Sequence, residues 1–450
     1  MADSDSLPWC LWYNDSHMLH RHNTLFLALL SLTISSACAW PRETASAIPD
    51  ESTASLPANL QTGRPLAADS ALDLTPTAFA TRTRPSPTPS MRSTPQRRAT
   101  ASAMRTQATP VAINPLTGLP APEPALLERR PLAIKISNYP RDIRPQYGLN
   151  EADVVFEYYI EWGYTRFIGL FYGQNAPKIG PVRSGRYFDE HITRMYHAFY
   201  VFNFADPREY RYFLGGDLAK SMVVPGGDCS VAPFFTSRGS SVTGDASHFE
   251  CYFDSTRFDE HLERREVDNS RPQLRSTLFA AAPPAGGIDV ERIFTYYSRC
   301  DYNYWEYEPE SARYIRFQEK SASKDPRYIN DCVDNPQTYG PLVDSVNREQ
   351  VNAANVVVMY ASHTFASENE QSDEIYHIDL IDSGRAYVFR NGLGIPARWV
   401  RTDIDQPLVL TTLHGDPLGL RPGRTFFEVI GETSHDWSEA ADWHFEFHTP

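Results

Sequence analysis

The sequence predicts an α+β fold followed by a smaller, mainly-β unit. Three observations predict it. Residues 131–171 are rich in strand-forming runs, two later stretches carry helical patterning, and from Arg292 onward almost every periodic run is strand-like. Apolar residues make up 41% of the 450, ordinary for a chain with a buried core.

The chain opens with an address. Thr24 to Ile34, TLFLALLSLTI, is too short to span a bilayer as a helix but fits the apolar region of a secretory signal, so residues 1–38 read as a signal peptide. Met18 starts a more conventional signal than Met1 does. Ser35-Ser36-Ala37-Cys38 then resembles a bacterial lipobox, in which Cys38 takes a lipid and becomes the mature terminus. Ser35 departs from the aliphatic residue usual there, and ordinary cleavage beside Ala37-Cys38-Ala39, which releases a secreted protein, is the other reading.

Residues 39–111 read as a disordered tether. Between 41 and 110, 43 of 70 positions are Ala, Pro, Ser or Thr, and Phe79 is the one aromatic residue, so the stretch cannot bury enough surface to order itself. A first folded domain is expected over 112–282. Leu132, Ile134 and Ile136 alternate on one strand face, Asp153–Trp162 and Arg166–Phe171 follow as strands, and Gly163-Tyr164 reads as the hairpin turn between them. Residues 187–198 and 257–265 read as helices set beside the sheet. Pro283-Pro284-Ala285-Gly286-Gly287 reads as a joint, 290–432 as a β-rich domain, and 433–450 as a local extension.

Charge excludes one class of partner. The net charge is −14, and residues 1–110 hold nine Arg against eight acids, which leaves 33 basic and 48 acidic groups in the remainder. No basic run is longer than an arginine pair, as in Gln96-Arg97-Arg98, so no nucleic-acid partner is expected. Cysteine usage fits an oxidising compartment: Cys229, Cys251, Cys300 and Cys332 form two sequence-local pairs, so bridges 229–251 and 300–332 are expected, with four buried thiols as the other reading.

Five blocks in fixed order, INPLTGLP (113–120), RPLAIKISN (130–138), RPQYGLNEADVVFE (144–157), TRFIGLF (165–171) and KIGPVRSGR (178–186), resemble the bacterial YerB-like lipoproteins. NAANVVVMY (352–360), GRAYVFRNG (384–392), Arg398-Trp399 and LRPGRTFFEVI (420–430) resemble the family's C-terminal domain. The resemblance implies a layered sheet/helix N-terminal domain and a smaller, mainly-β C-terminal one. It implies no established reaction.

The candidate chemistry centres on KIGPVRSGRYFDEH (178–191). Gly180-Pro181 ends a strand, Ser184 or Gly185 is placed to cap the following helix, and Arg183 and Arg186 add two guanidinium forks. Two readings stand: an anion-binding site made by Arg183, Ser184 and Arg186 with Glu157 or His248, or a structural network with the strand carboxylates, Glu157 above all. Strand periodicity puts Asp153, Glu157 and Glu161 on one face with Arg166 opposite Glu161, a cross-strand ion pair. Glu157 and Glu161 would stand about 13 Å apart, wider than the ~5–9.5 Å of paired glycosidase carboxylates. His248 sits where the YerB-like pattern has a histidine, and a buried structural ring is its other reading.

His444, Glu446 and His448 share a face by period two, but same-face neighbours lie about 7 Å apart, too far for a compact ligand set, so no metal is expected. Nucleophile elbows, phosphate loops and dinucleotide fingerprints are absent from the sequence, and no cofactor is expected. The resulting expectation is a membrane-tethered, extracytoplasmic lipoprotein of the cell envelope that binds an envelope ligand or a protein. The alternative is an extracytoplasmic enzyme acting on an anionic envelope component, with Arg183 and Arg186 as the clamp and Glu157 or His248 as acid or base.

Overall fold

Strand β1 (Leu132–Ser137) is buried at all six positions, Lys135 included, because the sheet that contains it is covered on both faces. The alternation in its sequence therefore does not separate a wet face from a dry one. The computed structural model describes residues 111–225, 229, 235–237, 251–263, 265, 267–274, 277–321, 323–325, 328–332, 337–367 and 374–448. Cys38, His248, the signal segment and the tether up to residue 110 lie outside them.

After β1 come β2 (Val154–Glu161), β3 (Tyr164–Phe171), α1 (Phe188–Met195), β4 (Phe199–Val201), α2 (Pro207–Gly215), β5 (Met222–Val223), β6 (Phe235–Ser237), β7 (Cys251–Phe253) and α3 (Phe258–Glu263). The second half adds β8 (Ile288–Asp289), β9 (Arg292–Ser298), β10 (Asp301–Glu308), β11 (Arg313–Glu319), β12 (Tyr339–Pro341), β13 (Asn352–Ala353) and β14 (Asn355–Phe365). It continues with β15 (Tyr376–Asp379), β16 (Asp382–Arg390), β17 (Leu393–Arg401), β18 (Val409–Thr412), β19 (Thr425–Gly431), β20 (His435–Glu439) and β21 (Asp442–Glu446). The regular structure among the described residues is thus mostly sheet, and the α-helices are short.

The central sheet runs β18-β17-β16-β14-β19-β2-β3-β1-β4-β5 and so draws strands from both halves of the chain. Its seam is the parallel pairing of β19 with β2, in which Phe427 and Glu428 lie beside Phe156 and Glu157. The stretches read as two domains therefore share one sheet and one apolar core. Each fully buried Val, Leu or Phe in that core contributes about 1.5–3 kcal/mol.

A second sheet, β12-β11-β10-β9-β21-β20, packs on the central-sheet face that carries Glu157, Phe167 and Phe426, with Trp305 edge-on to Phe426. Helix α1 covers the other face, its Phe188 against Tyr158. The tail read as a local extension is part of this architecture. Strand β21 runs parallel to β9 and buries Trp443 and Phe445.

Two local expectations are corrected. The β2–β3 turn is Trp162-Gly163, both with positive φ (51° and 84°), so Tyr164 already belongs to β3 and faces Glu161 across the hairpin. The register also slips between Tyr159 and Glu161; the extra residue turns Glu161 to the face opposite Glu157. Helix α2 is additional to the two expected helices, although Asp206 caps it by accepting from the Arg208 amide (2.8 Å) and Pro207 opens its first turn, both readable signals.

Candidate functional site

The KIGPVRSGRYFDEH stretch is anchored before it reaches α1. Gly180, at φ 135°, exchanges backbone hydrogen bonds with Tyr147, and the Arg183 amide donates to Lys135 O (3.1 Å). Arg183 is 9% exposed and its Nε donates to Ser137 Oγ (3.1 Å). Burial and the adjacent Arg166 and Arg186 guanidiniums hold its pKa well below the usual arginine value.

Arg186 forks onto Glu161, its Nε 3.0 Å from Oε2 and its Nη2 bridging both carboxylate oxygens, and its Nη1 lies 3.5 Å from Glu209. Burial disfavours the Arg186 charge, but Glu161 and Glu209 outweigh it and raise the pKa. Glu161 meets burial too, yet Arg186 and Arg166 bring its pKa below the ordinary value. The expected Glu161–Arg166 pair is the longer contact, at 4.0 Å, and Arg166 donates instead to Ser184 O (3.0 Å).

Ser184 does not cap α1. The helix starts at Phe188 after Tyr187, and the amides just before it are taken by acids: Asp189 accepts from Arg186 N (2.9 Å) and Glu209 from Tyr187 N (3.2 Å). Beneath them Asp189 also accepts from Tyr158 (2.5 Å) and Tyr200 (2.6 Å) and pairs with Lys135 (3.0 Å), both ends of the ion pair fully buried. Burial pushes the Lys135 ammonium down to about 7, against the pull of Asp189.

Glu157 is on the other face, between the sheets. Arg316 bridges it (2.6 Å) to Glu428 (2.9 Å), Thr165 donates to it (2.6 Å), and Asp301 shares Thr165 and Asn138 with it. Burial lifts Glu157 well above the carboxylate range, opposed by Arg316 and reinforced by Glu428 and Asp301. Of the site residues expected from the sequence, the structure thus gathers Arg183, Ser184 and Arg186, while Glu157 lies across the sheet from them. Both cysteine pairs are disulfides, with Cα separations of 5.7 Å for Cys229–Cys251 and 4.8 Å for Cys300–Cys332.

A surface feature beyond the expected site lies on the outer face of the second sheet. Trp437, His444, Phe294, Tyr304 and Phe317 are directly opposed on five successive strands, β20, β21, β9, β10 and β11. Their ring centroids are 4.9, 4.8, 5.1 and 4.6 Å apart, close to the spacing of the strands themselves. Trp437, at the edge, is 48% exposed, and the four other rings are half-buried. Beside the row is a cavity of about 370 Å³ lined in part by Tyr296, Tyr339, Gln337 and Glu446. His444, read as one of three same-face residues, is here a ring stacked between Phe294 and Trp437. The strands show their alternation in sequence; which rings meet across them does not appear there.

Among the described residues, no group of three or more His, Cys, Asp or Glu is placed to hold a metal ion. The DUF3048 N-terminal domain, of unknown function, matches residues 116–266, and the DUF3048 C-terminal domain matches 293–427. YerB of Bacillus subtilis (strain 168), whose name describes a lipoprotein, is 24% identical over 316 residues, 70% of this chain and 85% of that one. The crystal structure of the YerB protein from Bacillus subtilis superposes with a TM-score of 0.55 at 22% identity, over 71% of this chain and 96% of that one, a likeness of fold. The chain belongs to the YerB-like family, built from the DUF3048 N- and C-terminal domains.

Proposed function

We propose that this protein is a lipid-anchored component of the cell envelope, held outside the cytoplasm by Cys38, whose folded head binds an envelope partner along the aromatic row of its second sheet. The row Trp437–His444–Phe294–Tyr304–Phe317 carries the reading. Rings at this density offer a large contact area with little rotamer entropy to lose on binding. The signal-like segment, the following cysteine, the two disulfides and a relative named as a lipoprotein support the location. The enzymatic alternative receives less support, since Glu157 and the Arg183–Arg186 pair are on opposite faces of the central sheet and the arginine forks are engaged.

Site-specific photocrosslinking in the native envelope tests the binding surface. A photoreactive residue at Tyr304 or Trp437 should give a discrete crosslinked product that Phe294→Ser suppresses. The same probe at Tyr212, exposed on α2, should not give it. Equal products from both faces would dismiss the row as the binding surface. Mass spectrometry of the mature terminus tests the anchor: a lipidated Cys38 is expected, and an unmodified terminus beyond it would leave a secreted protein.

A further inference from the structure

The first and last blocks of the family resemblance, INPLTGLP and LRPGR, meet at a cavity of about 360 Å³ lined by Asn114, Asp153, Arg313, Asn352, Arg421 and Arg424, among others. Gly423 allows the meeting. It has a φ of 138°, its amide donates to Thr117 O (2.8 Å), and a side chain there would come within 2.5 Å of the Ala354 Cβ.

Three arginines, Arg313, Arg421 and Arg424, line this one cavity, and they differ from the guanidiniums that are paired with acids elsewhere in the fold. Arg186, Arg194, Arg292 and Arg316 each sit on a carboxylate. Arg313, Arg421 and Arg424 have no carboxylate within ion-pair distance among the described residues, in a chain of net charge −14. Arg424 is locked in place by Ala152 O (2.9 Å), Asn150 Oδ1 (3.0 Å) and Asn352 O (2.6 Å). Arg421 reaches the Ala312 and Ser311 carbonyls, and Arg313 Nη1 donates to Asn352 Oδ1 (2.9 Å). Nε and Nη2 of Arg313 and Nε of Arg421 make no hydrogen bond to the described residues. The acid in the lining, Asp153, is already occupied by Asn114 Nδ2 (2.8 Å) and the amides of Tyr172 (2.7 Å) and Gly173 (2.9 Å).

We infer that this cavity binds a small dianion whose charge lies on phosphoryl or carboxylate oxygens. Arg313 and Arg421 supply the ligand-facing donors, and Arg424 is the fixed positive charge behind them. The volume suits a small metabolite rather than a polymer. The inference is independent of the aromatic row, and its failure would leave that reading standing.

Isothermal titration of the full chain with inorganic phosphate and, separately, with succinate tests it, with glycerol as the uncharged control. Saturable binding of at least one anion is expected, weakening as salt rises. Arg313→Ala or Arg421→Ala should weaken it by about tenfold or more, and Arg292→Ala, on the second sheet, should not. Binding of phosphate alone would assign a phosphoryl group and of succinate alone a dicarboxylate; either supports the site. Arg313→Ala removes an exposed side chain that donates to Asn352 alone among the described residues, so it decides the outcome if Arg421→Ala folds poorly. No saturable binding of either anion, or binding indifferent to both variants, would overturn the inference.

Discussion

Arg316 and Glu157 lie 2.6 Å apart with neither side chain reaching solvent, and the same guanidinium holds Glu428 at 2.9 Å. The two carboxylates come from the adjacent parallel strands β2 and β19, while the arginine comes from the second sheet. One side chain therefore neutralises the seam of the central sheet and ties the second sheet to it. Removing it would leave two carboxylates facing each other in a medium that solvates neither. Arg316→Met should cost about 3–5 kcal/mol in urea unfolding. Adding Glu157→Gln and Glu428→Gln should recover a large part of that loss. No recovery in the triple variant would mean that Arg316 stabilises by packing on Phe167, Trp305 and Phe426 rather than by charge.

On the helix-side face, Arg186→Lys keeps the charge but loses the fork on Glu161. A cost of about 1–3 kcal/mol is expected. Glu161→Gln should cost a similar amount, and the double variant should cost clearly less than the sum, because the two residues share one interaction. Additive losses in a double-mutant cycle would show that they act separately.

Glu319 gives a pH signature. Burial raises its carboxyl to about 7 from the ordinary 4.5, opposed by Arg144 at 2.7 Å and reinforced by Asp301. Between those values the folded state holds a proton that the unfolded chain has released. Its contribution is thus fully present below about 4.5 and is lost as pH rises through about 7. The stability difference between wild type and Glu319→Gln should move in favour of wild type by about 3 kcal/mol as pH falls from about 8 to about 4. Comparing the two proteins cancels the opposing effect of His191 and His363, both held near 4 by burial. A pH-independent difference would place the Glu319 titration outside this window.

The Cys300–Cys332 bridge ties the start of β10 to a segment 32 residues later, where the Asn330 side chain receives the Arg141 amide (2.7 Å). Cys300→Ser with Cys332→Ser should lower stability by about 3 kcal/mol in thermal or urea unfolding. Reduction of the wild type, which opens both bridges, should cost at least as much. An unchanged unfolding midpoint in the double variant would mean that the loop is held without the bridge.

By itself the sequence determined the local elements and the family. Alternation along RIFTYYS, NYWEYE and RYIRFQ marks β9, β10 and β11, and the even set of cysteines in local pairs matches both disulfides. These signals are local: side-chain phase, turn chemistry and short loops act over a few residues, or a few tens. Only the tertiary structure decided which faces and strands meet. One extra residue before Glu161 sends it to Arg186 instead of Glu157's side, and a phase slip of that kind is invisible in a run whose every position is compatible with a strand. The parallel pairing of β2 with β19 merges the two halves into one sheet through backbone hydrogen bonds that any side chain can accompany. The aromatic row and the arginine-lined cavity arise in the same way. Their members lie far apart in the chain, and strand register and close backbone approach bring them together.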